Sequence, residues 1–417
     1  MASVIVVGGG VIGLSAAWHL QQDGHQVTIL DDRPGDEANC STGNAGMIVP
    51  SHFVPLAAPG MVSMGLRLMF EKQGPLAMNW GAPGMIPWAR AFMSRSNREH
   101  VISRAPLLLE MHRRSRARLL EWAQVADFGL VTKGLLSLFR TPGGWQHEQG
   151  VASLGASLGA QARVVTADEV RQIDPAYDGD IVGGVHFTED AHLNPAALVN
   201  WLRAEFDRRG GQWIGSAHAT RWISDRGEVR AVTARLPSGP QSLTADAYVL
   251  ATGANSEALA KPLWLRLLLQ PGKGYSTTWN PSPIHPTVCA LLMEDRIAIT
   301  PMAGGVRVAG TMEIGAKPQG INMMKVEGMR RGLPAWFTAL RPEAPPFGEI
   351  WSGLRPLSPD GMPYLGYPLR HRNVVVATGH GMMGISLAAV TGQVVADLVA
   401  GRNAPFALDM LRPDRFL

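Results

Sequence analysis

Residues 1–32 read MASVIVVGGGVIGLSAAWHLQQDGHQVTILDD. Ser3 to Val7 is a short, apolar, β-branched run, the pattern of a strand buried on both faces. Gly8-Gly9-Gly10-Val11-Ile12-Gly13 follows directly, and Leu14 to Leu20 has helical character. A second strand pattern, Gln26 to Leu30, runs into Asp31-Asp32-Arg33. This is a βαβ unit with G-x-G-x-x-G at Gly8, Gly10 and Gly13 and an acid 18 residues beyond the last glycine. Gly8 permits the tight turn, Gly10 lets a pyrophosphate approach the backbone, and Gly13 lets helix and strand pack closely. The helix opened by Val11 and Ile12 offers its unpaired N–H groups and partial positive charge to phosphates. Asp31, with Asp32 and Arg33 beside it, is placed to accept a hydrogen bond from a ribose hydroxyl. A glycine-rich turn without a ligand shares the glycines alone; the strand, helix and acid together predict a dinucleotide site. A secretory leader is not expected, because no basic segment precedes the apolar run and glycines interrupt it.

Length and composition narrow the rest. With 417 residues the chain has room for two domains or one α/β unit with an insertion. A net charge of +4, without a block of Lys and Arg, argues against nucleic acid as a partner. Two cysteines, Cys40 and Cys289, leave no basis for a disulfide framework, an iron–sulfur cluster or a structural zinc, so no metal is expected and a reducing cytosol fits. The longest apolar stretch, Met382 to Ala400, is broken by Thr391, Gln393 and Asp397 and reads as a buried helix.

Further along, Ser41-Thr42-Gly43-Asn44-Ala45-Gly46-Met47 mixes small and hydrogen-bonding residues, so the backbone can run close to a flat, polar group. Ala247 to Ala254 is an apolar strand ending in Ala251-Thr252-Gly253, which favours FAD over NAD, since it returns to the first βαβ unit in flavoproteins. With these motifs the chain resembles the flavin-dependent amine oxidoreductases of the D-amino-acid oxidase superfamily, and within it the bacterial D-amino acid dehydrogenases, from residue 2 to about residue 400. The resemblance implies non-covalent FAD, since the Gly379 turn has no Cys and Ser41 to Met47 no His. It implies that Ser41, Thr42, Asn44, Ala45, Gly46 and Met47 wrap the flavin, that Thr220 meets the adenine, and that Thr252 and Gly253 border the cofactor.

Two later stretches bear on the substrate. Trp351-Ser352-Gly353-Leu354-Arg355-Pro356 holds an arginine in a constrained setting, and a guanidinium fork matches a carboxylate with two parallel hydrogen bonds. The resemblance makes Arg355 the binder of the substrate carboxylate; an arginine salt-bridged for structural reasons is the alternative. Tyr275, in Lys273-Gly274-Tyr275-Ser276, reads equally as a substrate contact or a structural residue. Glycine oxidases, which the chain resembles here, carry a carboxylate-binding tyrosine where it has Ala298 and a substrate-contacting arginine where it has Met382. His192 is read as a loop histidine that is more often structural. Gly379-His380-Gly381-Met382-Met383-Gly384 is a second strand–turn–helix whose helix N-terminus would face the flavin edge where charge collects on reduction; His380 is a flavin-edge or packing residue, not a base.

Residues 51–95 are rich in Met, Trp and Pro. Met61-Val62, Leu66 and Leu68-Met69-Phe70 form one apolar helical face, and Met85-Ile86, Trp88 and Phe92-Met93 another, among Arg67, Lys72, Arg90 and Arg95. A lid, a membrane-surface contact and ordinary core packing all account for this pattern.

The expected architecture is α/β: a Rossmann-like, glutathione-reductase-type FAD domain from 1–50, 188–265 and 350–417, with an inserted β-rich antiparallel substrate domain from 51–187 and 266–349. The expected activity is FAD-dependent oxidative deamination of a small, D-configured amino acid by hydride transfer from Cα to flavin N5, with electrons passed to a quinone. The expected location is the cytoplasm, peripherally on the inner face of the cell membrane. The alternatives are oxidation of secondary amines (sarcosine, proline, hydroxyproline) and a non-catalytic FAD-binding partner protein.

Overall fold

The structure is a computed structural model that describes residues 1–34, 39–69, 71 and 73–417, without the side chains of 66, 67 and 69. Of the sequence readings, Phe70, Lys72 and the side chains of Leu66, Arg67 and Met69 lie outside the described residues.

Strand β1 (Ser3–Val7) leads through the glycine turn into helix α1 (Val11–Gln22) and strand β2 (Gln26–Leu30), as the pattern predicts. Both strands belong to a six-stranded sheet in which β1 is flanked by β2 and by the returning strand Ala247–Leu250, both parallel. Val374–Thr378 pairs next in parallel, Tyr364–Gly366 closes that edge antiparallel, and Gln212–Ile214 closes the other beside β2. A parallel sheet must be covered on both faces. One face is covered by α1 and the C-terminal helix Gly384–Val399, which cross so closely that a Cβ at Gly392 would lie 2.3 Å from Ser15 Oγ. That C-terminal segment, Gly381–Val399, is long and apolar enough to cross a membrane by length and composition, yet it is mostly buried inside the fold, as the sequence reading expected. The other face carries the meander His218–Asp225, Glu228–Leu236, Gly239–Leu243.

The second layer is a nine-stranded sheet. Its order is Trp351–Leu357, Gln270–Trp279, Gly305–Ile314, Ile297–Met302, Cys289–Leu292, Leu135–Phe139, Gly183–Phe187, Ala162–Thr166, and Leu76–Met78 pairs beside Gly305–Ile314. Most pairings are antiparallel; Cys289–Leu292 with Leu135–Phe139 and Leu76–Met78 with Gly305–Ile314 are parallel. Drawn by sheet membership, the boundary expected at 350 falls after Leu357, because Trp351–Leu357 pairs along Gln270–Trp279 and leaves for the six-stranded sheet only beyond it.

Three helices cover this assembly: α2 (Met61–Met69), α3 (Met85–Arg95) and α4 (Arg98–Trp122). In α4 the basic residues face outward, Arg114 to Glu110 and Arg118 to Glu121, while Leu108, Met111, His112, Ser115 and Leu119 are buried. The Met/Trp-rich segment divides between packing and exposure. In α3, Met85, Trp88 and Ala89 are buried and Trp88 Nε1 donates to Leu357 O at 2.8 Å, whereas Ile86, Arg90 and Met93, at i, i+4 and i+7, share an exposed face.

Candidate active site

A single cavity of about 1180 Å³ runs from the glycine turn to the nine-stranded sheet, more than the space of one drug-sized ligand. At its first end the turn has the geometry the spacing predicts. Gly8 sits at φ +109, and a Cβ there would fall 2.4 Å from Ala251 O. A Cβ at Gly13 would fall 1.9 Å from Gly8 O, so only glycine lets α1 sit this close to β1. At Gly10 the nearest atom to such a Cβ is Ser41 Oγ at 3.7 Å, which leaves that face open to an incoming group. Asp31 is buried; it accepts from Gly9 N and from Arg33 N (3.0 Å) and Nε (3.2 Å), and so braces the turn. These bonds use three of the roughly four lone-pair directions of a carboxylate, while Asp32 beside it is exposed along the cavity. Across from them, Thr220 is the extra residue of a bulge between Ala219 and Arg221, which takes its main-chain groups out of the ladder.

The middle of the cavity is walled by the 41–47 loop and the 379–384 turn. Ser41 Oγ accepts from Val11 N at 3.1 Å, and Asn44 Oδ1 accepts from Gly46 N at 2.8 Å. The loop is held from the other sheet: Arg307 Nη1 donates to Thr42 O (3.1 Å) and Asn44 O (2.7 Å), and Ser276 Oγ donates to Gly43 O (2.8 Å). Thr252 Oγ1 pairs with Ser256, whose hydroxyl donates to Thr378. His380 turns its ring to Thr391 Oγ1 (3.0 Å), and burial holds it at about 3, so it is a neutral packing residue. Gly13, Thr42, Gly46 and Gly379 shape the wall from behind; every other residue read as cofactor-binding lines the cavity.

The far end is built on a bulge. Lys273 pairs with Glu313 but Tyr275 pairs with Gly310, so Thr311 and Met312 together face Gly274. Thr311 stands at φ +66, an uncommon conformation for a β-branched residue. Its carbonyl accepts from Arg355 Nη1 at 2.8 Å. The guanidinium lies across Gly274, where a Cβ would fall 2.2 Å from both Nη atoms. Burial lowers the Arg355 pKa, and among the described residues no carboxylate lies within ion-pair distance of it. A half-buried guanidinium lining a cavity without an acid of its own leaves its remaining N–H groups free for one brought by a ligand. This is not the arginine salt-bridged for structural reasons that the sequence left open.

Tyr275 also lines the cavity, but its hydroxyl donates to Glu313 and accepts from Asn322 N (3.0 Å), and its pKa is pushed up to about 12 by burial and by Glu313. The ring is a wall and the hydroxyl anchors the segment leading to Asn322. His192 is buried, pairs with Met47 in a two-stranded ladder and is not among the cavity residues. Ala298 and Met382 line the cavity. The sequence reading missed Gly274, Arg307, Thr311 and His52; the last also lines the cavity. None sits in a motif that advertises chemistry, and each matters through a partner remote in sequence.

A turn that admits a pyrophosphate, a bulge that frees main-chain groups near Asp31–Arg33 and a cavity long enough for a dinucleotide plus a small acid fit FAD. The family comparison agrees: residues 3–398 match the DAO family of FAD dependent oxidoreductases, and the chain belongs to that family. It is an FAD-dependent oxidoreductase. Among curated relatives it is 31% identical to a D-amino acid dehydrogenase of Paramagnetospirillum magneticum (99% of this chain, 98% of that one) and 30% identical to one of Methylobacterium nodulans (99% of each). Among solved structures, glycine oxidase from Geobacillus kaustophilus superposes with a TM-score of 0.79 at 22% identity (100% of this chain, 99% of that one). L-proline dehydrogenase from P. horikoshii superposes with 0.73 at 16% (100% and 97%). The two structures establish the shared fold.

Proposed function

We propose that the protein oxidises small D-amino acids to imino acids, which hydrolyse to 2-oxo acids and ammonia. The observation that carries this reading is the Arg355 guanidinium at the cavity floor, without a carboxylate partner of its own; the names of the two relatives agree with it. Bound FAD supplies the acceptor for the hydride leaving Cα, and the protein supplies orientation and electrostatics. Arg355, steadied by the Thr311 carbonyl and laid on Gly274, takes the carboxylate. Arg307 and Ser276 fix the 41–47 loop against the substrate sheet, which sets the spacing between cofactor and carboxylate sites. Anaerobic mixing of the holoenzyme with a panel of D- and L-amino acids tests the reading: D-alanine or a similar D-amino acid bleaches the flavin and its L enantiomer does not. A panel in which no D-amino acid bleaches it overturns the reading.

The electron acceptor in this reading is a membrane quinone, reached by docking on the lipid surface from the cytoplasmic side. Its support is the segment at the cavity, where Ile86 and Met93 are exposed on one helix with Arg90 and Arg95, and where Met93 and the exposed Trp80 also line the cavity. Apolar side chains entering the interface and basic ones meeting anionic lipid give reversible, salt-sensitive attachment. Wild type is expected to sediment with anionic liposomes at low salt and the Ile86→Glu/Met93→Glu variant to stay in the supernatant. Equal partition of the two, or wild type left in the supernatant, removes the docking surface.

A further inference from the structure

His52 lines the same cavity as Arg355, and behind it runs a hydrogen-bonded chain into the core. Its Nδ1 lies 3.1 Å from Ser51 Oγ, and Ser51 Oγ bonds Asp190 Oδ2. Asp190 is fully buried, and its Oδ1 accepts from Ser51 N at 3.0 Å. Among the described residues His52 Nε2 has no partner, and Nδ1, the nitrogen across the ring from it, is the one that meets Ser51. Hydride loss from an amino acid requires the nitrogen to be oriented as well as the carboxylate, and among the described residues no acid lies within ion-pair distance of Arg355.

We propose that His52 Nε2 is the acceptor for the substrate ammonium group, and that Ser51 and Asp190 are positioning residues that select the imidazole tautomer able to accept. The inference rests on the amino-acid reading above. The logic follows from one proton on one hydroxyl. With Asp190 ionised, Ser51 Oγ donates to it and must accept from His52 Nδ1–H, so Nε2 is left with its lone pair. With Asp190 protonated, the carboxyl donates to Ser51 Oγ, Ser51 donates to Nδ1, and Nε2 carries the hydrogen. An Nε2–H repels an ammonium group. The partner that orients an imidazole thus sets what its other nitrogen can bind.

The surrounding groups make Asp190 the member that titrates. Burial holds His52 at about 4, and His112, which faces it from α4, at about 3, so both rings are neutral at ordinary pH. Burial pushes Asp190 up to about 8, with Glu189 adding to the rise; the Ser51 bonds and Arg116 of α4 oppose it. Cys289, close enough to feel the Asp190 charge, has a thiol pushed far up by burial and so stays uncharged. The accepting tautomer therefore gains population as pH rises through the Asp190 titration, and substrate binding tightens in the same direction.

The test uses two ligands the holoenzyme cannot oxidise, 2-aminoisobutyrate, which lacks a hydrogen on Cα, and isobutyrate, which lacks the amine. Each is titrated against the flavin absorbance from pH 6 to about pH 9. In wild type, affinity for 2-aminoisobutyrate rises across this range while affinity for isobutyrate does not follow it. In Asp190→Asn, the amide N–H donates to Ser51 Oγ and locks the wrong tautomer, as the same change does beside a catalytic histidine elsewhere. That variant and His52→Leu bind 2-aminoisobutyrate roughly 10- to 100-fold more weakly, the worth of a hydrogen bond to a charged group, and isobutyrate within threefold of wild type. Equal losses for both ligands, or none for either, overturn the proposal. A wild type that binds neither ligand overturns the amino-acid reading itself, a different failure visible before any variant is made.

Discussion

Arg355→Met is expected to lower kcat/KM for an amino acid by about two to three decades while leaving the flavin spectrum unchanged. The guanidinium has no acid of its own among the described residues and keeps its place through the Thr311 carbonyl. Removing one partner of a buried, hydrogen-bonded charge pair costs roughly 2–5 kcal/mol, and about 1.36 kcal/mol is a decade in rate. Methionine fills the volume of the stem, so the loss reports the charge and the fork rather than a cavity. Arg355 is not among the residues read as cofactor-binding, so the spectrum is expected to hold. Steady-state kinetics on the holoenzyme with a saturating acceptor decides it: a variant within threefold of wild type removes Arg355 from the carboxylate site.

Gly274→Ala is expected to imitate that loss without removing any charge. A Cβ at 274 would lie 2.2 Å from both Nη atoms and 2.3 Å from Cζ of Arg355, and the three nearest atoms all belong to that guanidinium. The guanidinium is the far end of a flexible side chain, so the fold accommodates the methyl group by moving it, and the strand pairing survives. The fork then no longer meets the carboxylate in its bidentate geometry, which is what sets it apart from a point charge. The expected result is a KM higher by roughly 10- to 100-fold, with thermal stability and bound flavin near wild type. The double variant Gly274→Ala/Arg355→Met should be no worse than Arg355→Met alone, since both changes act through one contact. Additive losses, or a Gly274→Ala enzyme with unchanged KM, show that the guanidinium does its work from another position.

What the sequence by itself determined is whatever local chemistry specifies. The βαβ unit was legible because a buried parallel strand, a glycine turn and a capless helix start leave their marks within 32 residues. The same holds for the strand–turn–helix that ends in Gly384–Val399. Most of the residues read from such motifs line one cavity. Arg355 was readable too, through its constrained neighbours.

Only the tertiary structure decided how these parts act together. Arg355 takes its place because a strand at 270–279 lies between one at 305–314 and one at 351–357, and because a bulge turns Thr311 O toward the guanidinium. Nothing in Lys273-Gly274-Tyr275 announces that its glycine is a bed for an arginine 81 positions away. Ser51 and Asp190 are separated by 139 positions, and neither carries a motif. Tyr275 is a second case: its type left a substrate contact and a structural role equally open, and Glu313 and Asn322 claim its hydroxyl. The Met/Trp-rich segment was ambiguous for a related reason, since the same residues serve core and surface, and only the docking of α3 on Leu357 and Ile314 sorted Trp88 inward and Ile86 outward. Periodicity and motif report what a residue does to its near neighbours in the chain. Burial, charge pairing and tautomer depend on neighbours that only folding supplies.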